Sequence, residues 1–307
     1  MRSFTQQLLN GIFIGSIYAL FALGYTLVFG VLDVLNLAHS AVFMIGAIVA
    51  YSLVALHGWS FWAAAPVGIA VAGALGLVIE YVALRPLRRR QAPPIAALIS
   101  TIGLALIFVT LVEQSTQGTF LSWLWRDGSN ATRYPPGAVP DPTWQVAGLR
   151  LQAHQVAIFL LTIVLMLVLG GILRFTQLGR AMRAIAENPR AARLLGVDVD
   201  RIFAITLVVS SALGGLAGIL FALANFDVDP YIGRDQVELK GLAVIVLGGM
   251  GSVPGAVVGG YVLGFIEVLS FVRFGSFAES GVAFLALFVM LVLRPQGLFG
   301  ARLRERL

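Results

Sequence analysis

Long, almost uniformly apolar stretches alternate with short polar breaks along this chain. Apolar runs fall at 8–31, 39–56, 61–84, 94–113, 154–174, 202–224, 254–272 and 278–294. A helix that crosses a bilayer needs about 20 mostly apolar residues. The runs lack the every-second-residue alternation of a barrel strand, so helices are the only spanning structure left. The pattern predicts an all-α polytopic membrane protein, one transmembrane domain over 1–307 with about eight transmembrane helices. A further apolar stretch, 239–250, is too short to span comfortably and runs into the glycine-rich turn Gly248-Gly249-Met250-Gly251-Ser252-Val253-Pro254-Gly255. A helix that breaks inside a membrane is tolerable only where protein or a cavity covers its free backbone groups.

The polar breaks set the orientation. Arg85, Arg88, Arg89 and Arg90 fill one; six arginines fall within 174–201; Arg294, Arg302, Arg304 and Arg306 mark the end. The positive-inside bias places all three in the cytoplasm. The loop 114–153, with Trp123, Trp125, Tyr134, Trp144 and several prolines, is then external and suits an interfacial, partly ordered cap. Between 174–201 and the end the chain must cross an odd number of times, so 239–250 has to count as a crossing. The first helix then starts outside, and is expected to be retained rather than removed as a signal peptide. Gly15-Ser16-Ile17-Tyr18-Ala19-Leu20-Phe21-Ala22 resembles Gly218-Ile219-Leu220-Phe221-Ala222-Leu223-Ala224, and the same offset of 203 brings Gly46 onto Gly249. This is either an inverted repeat, a known transporter device, or the general likeness of glycine-rich apolar helices.

Composition narrows the picture. Of 307 residues 59% are hydrophobic and 12% charged, against about 25% charged in soluble domains. There is no cysteine, which removes disulfide and thiolate–metal chemistry. The net charge of +6 sits in short loops between apolar spans, so it marks topology and not a nucleic-acid partner.

Candidate chemistry is sparse. No metal-ligand spacing, Ser-His-Asp arrangement, Gly-x-Ser-x-Gly turn or phosphate-cradling Gly-x4-Gly-Lys-Ser/Thr loop is present. The chain therefore has no visible catalysis, no cofactor site and no energy source, and a transporter subunit powered by another chain fits best. Small residues at helix-contact spacing, Gly11 and Gly15, Gly73 and Gly76, Gly214 and Gly218, Gly255 to Gly264, predict close helix packing. Glu80 and Glu267 are the carboxylates inside spans. Each is a functional candidate or a structural pair, with Arg85 and Arg273 as nearby cations. An ion-coupled secondary carrier would need such carboxylates. Asp227, Asp229, Arg234, Glu238 and Lys240 follow the sixth run and either meet a soluble partner or are solvated.

The break at 174–201 predicts two short helices: one from about Arg180 to Ala186, then Pro189–Leu195, with Asn188 as N-cap, Pro189 in the first turn and Gly196 as the stop. At 254 a helix start presents backbone N–H groups and a positive dipole end that suit a carboxylate.

Several stretches carry a family resemblance: Asn36-Leu37-Ala38-His39 with Phe43-Met44-Ile45-Gly46, Gly179-Arg180-Ala181-Met182-Arg183-Ala184 through Leu194-Leu195-Gly196, Pro230-Tyr231-Ile232-Gly233, and Ala243 through Ala256. In order and over nearly the full chain, they resemble the LivH-type permeases of branched-chain amino-acid ABC importers. The resemblance implies a multi-pass protein of the bacterial inner (cytoplasmic) membrane. It implies four kinds of partner: a second homologous permease, two cytoplasmic ABC ATPase subunits, a periplasmic solute-binding protein, and the bilayer. It gives 174–201 the role of a coupling segment against the ATPase, with Arg180, Arg183, Glu187, Asn188, Leu194 and Gly196 as candidate contacts. It offers Asn36, His39, Ser40, Gly248, Gly249, Gly251 and Ser252 as candidates for the translocation path. Two features depart from the family. Ser40 and Ala41 stand where Gly-Glu often follows the histidine, and the external loop is longer. Related importers for urea, short amides or aromatic acids thus stay open as alternatives.

Overall fold

The computed structural model describes residues 2–116, 118–119, 121–135, 142–146, 149–275, 279–294 and 296–299. Its helices are α1 (Arg2–Leu32), α2 (Ala38–Ala55), α3 (Phe61–Val78), α4 (Arg85–Arg89), α5 (Pro94–Glu113), α6 (Ala153–Phe175), α7 (Gln177–Glu187), α8 (Pro189–Leu194), α9 (Val199–Asn225), α10 (Leu239–Gly248), α11 (Val253–Phe274) and α12 (Glu279–Leu293). Two π-helical stretches, Ile79–Leu84 and Ile232–Glu238, join α3 to α4 and lead into α10. Four short strands pair as β1 (Thr132–Arg133) with β4 (Asp227–Val228) and β2 (Thr143–Val146) with β3 (Leu149–Gln152), both antiparallel.

Seven of the described helices are long and apolar enough to cross a bilayer. The run expected at 278–294 forms a helix of only 15 residues. The tail arginines Arg302, Arg304 and Arg306 lie outside the described residues.

The core sits where α1, α2 and α9 meet. Tyr18 through Leu23, nearly all of α2 and Leu216–Leu223 are buried there. By contrast α5 and α6 expose Ile95, Ile99, Leu106, Leu160, Val164 and Leu167. Apolar faces this continuous are stable in lipid, not in water. The glycines expected to pack do so. A Cβ on Gly15 would meet Tyr261 and Gly260, one on Gly264 would meet Gly15, and one on Gly76 would meet Leu207 and Ser211. Without side chains at these points the backbones approach closely enough for dispersion contact to hold helices together in lipid.

These contacts also give relative directions. Along α1, Gln6 pairs with the Arg150 backbone just before α6, and the Ser16 carbonyl accepts from Thr162 of α6, so the two helices run the same way. Gly11 faces Phe265, Gly15 faces Tyr261 and Gly260 faces Ala19, so α11 runs opposite to α1. The Phe226 ring at the end of α9 lies 5.4 Å from the His154 ring at the start of α6, so α9 also opposes α6. Consequently α9 and α11 are parallel, and the chain between them must travel back to the end where α9 began. It does so through the seven π-helical residues Ile232–Glu238 running unbroken into the ten residues of α10, up to about 25 Å at ~1.5 Å per residue. The stretch that looked too short from 239 is thus lengthened from its N-terminal side.

The described parts of 114–153 cap the end shared by α2, α6 and α9. Trp125 is fully buried, donates to the Gly128 carbonyl at 2.7 Å and packs on Tyr51, which also meets Tyr134. Burial pushes the Tyr134 phenol up, so it stays neutral. Trp59, Trp62, Trp123 and Trp144 remain exposed around this cap, as an interfacial aromatic belt does.

Candidate coupling surface and translocation path

The opposite end carries α7 and α8. Thr176 caps α7, its hydroxyl accepting from the Gly179 N–H at 3.1 Å. Gly179 lies against the last carbonyls of α6, where a Cβ would collide with Ile172 and Leu173. Gly179, Met182 and Ile185, spaced by three, form the buried face. Arg180, Arg183 and Glu187 are exposed on the other faces, and Arg183 donates to the Leu173 carbonyl. Asn188 ends α7 and starts α8, its Oδ1 accepting from the N–H groups of Arg190 and Ala191, both at 3.0 Å. Pro189 occupies the first turn, and Gly196 takes a φ of +85° after the last turn. The first helix is longer than expected, beginning at Gln177 and ending at Glu187, because Thr176 supplies a cap upstream of Arg180; the second ends at Leu194.

Leu194 is 89% exposed and Leu195 83% exposed. Two adjacent leucines bared to solvent, at the end of a helix whose Ala192 is buried against the bundle, form an apolar knob with nothing among the described residues to cover it. Leu195 was absent from the sequence-derived candidates. The signal was the doublet just before a glycine stop, which leaves no helical turn to bury it.

Beneath α8 an ion network ties α4 to α9. Arg88 donates to buried Glu80 at 2.5 Å and to Asp200 at 2.9 Å, and lies 4.4 Å over the Phe203 ring. Arg85 reaches Asp200 at 3.4 Å. Glu80 therefore pairs with Arg88, not with the expected Arg85. Glu267 pairs with Lys240 at 2.6 Å, not with Arg273, and Tyr18 donates to the same carboxylate at 2.9 Å. Lys240 is thus a nearly buried partner in the bundle, not a solvated surface charge.

The path candidates form two groups. Asn36, His39 and Ser40 are buried at the start of α2. The His39 ring is packed between Phe21 and Tyr25, with Gly24 and Gly214 against it, and its Nε2 is 3.3 Å from the Phe21 carbonyl. Ser40 donates to Glu238 at 3.1 Å, so a carboxylate from the π-helical stretch stands beside a segment that has none of its own. Gly248, Gly249, Gly251 and Ser252 form the α10–α11 turn, with φ of +101° at Gly249 and +81° at Gly251. Such angles are open to glycine at little steric cost. The start of α11 is less open than expected: Ser252 accepts from Gly255 N–H at 3.2 Å through its hydroxyl and from Ala256 N–H at 2.8 Å through its carbonyl. Residues after α12 close over the turn, Leu298 and Phe299 donating to the Leu247 and Gly248 carbonyls. Phe21 touches both His39 and Gly241, and so links the first group to α10. Among the described residues no group of three His, Asp or Glu is placed to hold a metal ion.

A bundle with lipid-type outer faces, a capped end, an opposite end bearing an exposed helix pair and a helix-break-helix in its interior defines a multi-pass membrane permease. The chain belongs to the family described as branched-chain amino acid transport system / permease component, whose model matches residues 7–293. It is 35% identical over 310 residues to the high-affinity branched-chain amino acid transport system permease protein LivH of Escherichia coli K12, covering 97% of this chain and 96% of that one. It is likewise 35% identical over 307 residues to the corresponding protein BraD of Pseudomonas aeruginosa, again covering 97% and 96%. To LivM of Escherichia coli K12, also a permease protein of that system, it is 28% identical over 307 residues, covering 92% and 67%. No solved structure matches the chain.

Proposed function

We propose that this chain is one of two membrane subunits of an ATP-driven importer for branched-chain or closely related aliphatic amino acids in a bacterial inner membrane. The observation that carries the reading is the α7–α8 pair: firmly packed on its inner face, bare on its outer face, and ending in the Leu194–Leu195 knob. A membrane chain with no phosphate-binding loop of its own needs such a surface if an ATPase drives it. Arg180, Arg183, Glu187, Asn188, Leu194 and Gly196 are all exposed, available to a cytoplasmic partner. Two permease proteins of one Escherichia coli system, LivH and LivM, both resemble this chain, which supports a second, related permease beside it. Two cytoplasmic ATPases and a periplasmic binding protein complete the assembly. An ion-coupled carrier is disfavoured because Glu80 and Glu267, the carboxylates within the spans, are each held by a cation.

Purification of the chain from its native membrane tests this. A cytoplasmic ATPase and a second permease should come with it, and leucine uptake by the cells should require ATP hydrolysis. A homo-oligomer without ATPase, with uptake intact, would sink the proposal.

The route is proposed to pass between the two path groups, Asn36, His39 and Ser40 on one side and the Gly248–Ser252 turn on the other. A Cβ built on Gly30 would lie 3.5 Å from the Gly251 carbonyl oxygen, and one built on Gly251 would meet Gly30 Cα at 3.6 Å. Gly251→Ala strains the φ of +81° that Gly251 takes, and Gly30→Val puts bulk against the Gly251 carbonyl. Uptake should fall at least about tenfold in both, the penalty of about 1.4 kcal/mol per decade being modest for overpacking, while the chain persists in the membrane. Unchanged uptake in both would count against a lining role.

A further inference from the structure

Where α8 faces the corner between α4 and α5, the two do not pack closely. A cavity of about 350 Å³ intervenes, walled by Arg190 and Arg193 of α8, Val199 and Phe203 of α9, and Leu87 and Pro93 about the corner. A second cavity, of about 600 Å³, is walled by Leu77 and by Ile205 of α9. Arg88 lines the first, and Glu80, Arg85 and Asp200 line the second, so the ion network stands between two open spaces. Within it a single nitrogen, Arg88 Nη2, reaches Glu80 at 2.5 Å and Asp200 at 2.9 Å. Arg85 and Arg89 approach Asp200 at 3.4 and 3.8 Å, but neither pairs with Glu80 among the described residues. Arg88 is therefore the group that joins the π-helical stretch to the first turn of α9. On the α9 side the joint leads directly to α8. The Val197 N–H donates to the Ala192 carbonyl at 3.1 Å, and Asp198 accepts from the Arg201 N–H at 3.1 Å, so α8, its glycine stop and the turn that bears Asp200 are bonded in series. On the other side Glu80 is 1% exposed. An apolar pair of similar volume is often as stable as a buried ion pair or more so, so stability alone does not account for the carboxylate. π-Helical turns are rare and gather at functional sites.

We infer that Arg88 is a positioning residue for transport: through Asp200 and Glu80 it carries displacement of the α7–α8 surface to the π-helical stretch at the end of α3. This rests on the importer reading above, which supplies the displacement. The two cavities leave α8 and the first turn of α9 room to move, while the guanidinium holds both carboxylates and makes the π-helical stretch follow. Arg88 touches neither the solute nor the ATPase in this role; it fixes where one element stands relative to another.

The test is the ratio of leucine transported to ATP hydrolysed by the assembled importer, with its ATPases and binding protein, in proteoliposomes. Asp200→Ala cuts the bridge and leaves the buried Arg88–Glu80 pair in place. Glu80→Met with Arg88→Met removes the bridge and strands neither member of the buried pair. Both variants should assemble and hydrolyse ATP within about twofold of the parent. The leucine-to-ATP ratio should fall at least about fivefold in each, the lower end of the usual coupling between sites. A merely structural role lowers hydrolysis and uptake together, in proportion to the protein that assembles, and leaves the ratio at the parent's value. That result in either variant overturns the inference, as does failure of both to assemble, which would make the network a support of the fold. Failure of the importer reading looks different: the parent itself then brings no ATPase with it, or moves leucine without hydrolysing ATP.

Discussion

Lys240 and Glu267 set the terms at the scale of single residues, for they are a buried ion pair in an apolar bundle. Their side chains are only 12% and 6% exposed, and the tyrosine of α1 completes the contact. Desolvation offsets much of the attraction in such a pair, yet removing one partner strands the other charge. Lys240→Met or Glu267→Gln alone should each destabilise the chain by about 3–5 kcal/mol, and the double replacement Lys240→Met with Glu267→Met should recover most of that. Thermal unfolding of the purified protein in detergent measures it. Single variants that unfold with the parent would mean the pair is wet and weak. The pairing itself was not legible in the sequence. A helix turns about 100° per residue, so Arg273, six residues beyond Glu267, points about 240° away from it. The true partner comes from another helix 27 positions back, which no local pattern reveals. Glu80 and Arg88 are nearer in sequence, but the intervening π-helical stretch and the approach of Asp200 from α9 decide the match.

Among the elements, the junction between α7 and α8 was legible in the sequence. Its caps are local: Asn188 before Pro189, and Gly196 after Leu195, state the boundaries in the language of side-chain acceptors and φ angles. The membrane runs 39–56, 94–113 and 154–174 likewise fall within one residue of α2, α5 and α6, because apolar length is itself the signal. The π-helical stretch before α10 was hidden, since Gly233 and Glu238 take their places from contact with Ser40 across the bundle. Where an element is legible its function can be tested without disturbing the fold. Leu194 and Leu195 are bare, so Leu194→Asp with Leu195→Asp should leave stability within about 0.5 kcal/mol of the parent. The same variant should lose co-purifying ATPase and at least about tenfold in uptake, since a charge at the centre of an apolar contact is unpaired on binding. Parent-like uptake together with retained ATPase would remove the knob from the coupling surface.

The whole molecule is governed by direction. Apolar length supplied the helices and arginine position supplied their sidedness, and the resulting parity required 239–250 to cross although its length looked too short for it. The contacts that decide it are made at a distance in sequence: Gly15 on Tyr261, Ser16 on Thr162, Phe226 on His154. Together they make α9 and α11 parallel, and parallel neighbours in a chain require a return between them. The π-helical stretch and α10 supply that return, bringing Met250 to the end of the molecule that carries α7, α8 and the arginines. Met250 is about half exposed. In a chain without native cysteine, Met250→Cys should therefore react with a membrane-impermeant maleimide in inside-out vesicles and not in intact cells. Asn225→Cys, exposed at the far end of α9, should show the reverse. If both react from the outside, 232–248 enters and leaves by one face, α11 must then run with α1, and the antiparallel stacking of Gly11 and Gly15 on Phe265 and Tyr261 could not hold. The accessibility of one residue thus tests the handedness of the entire second half of the bundle.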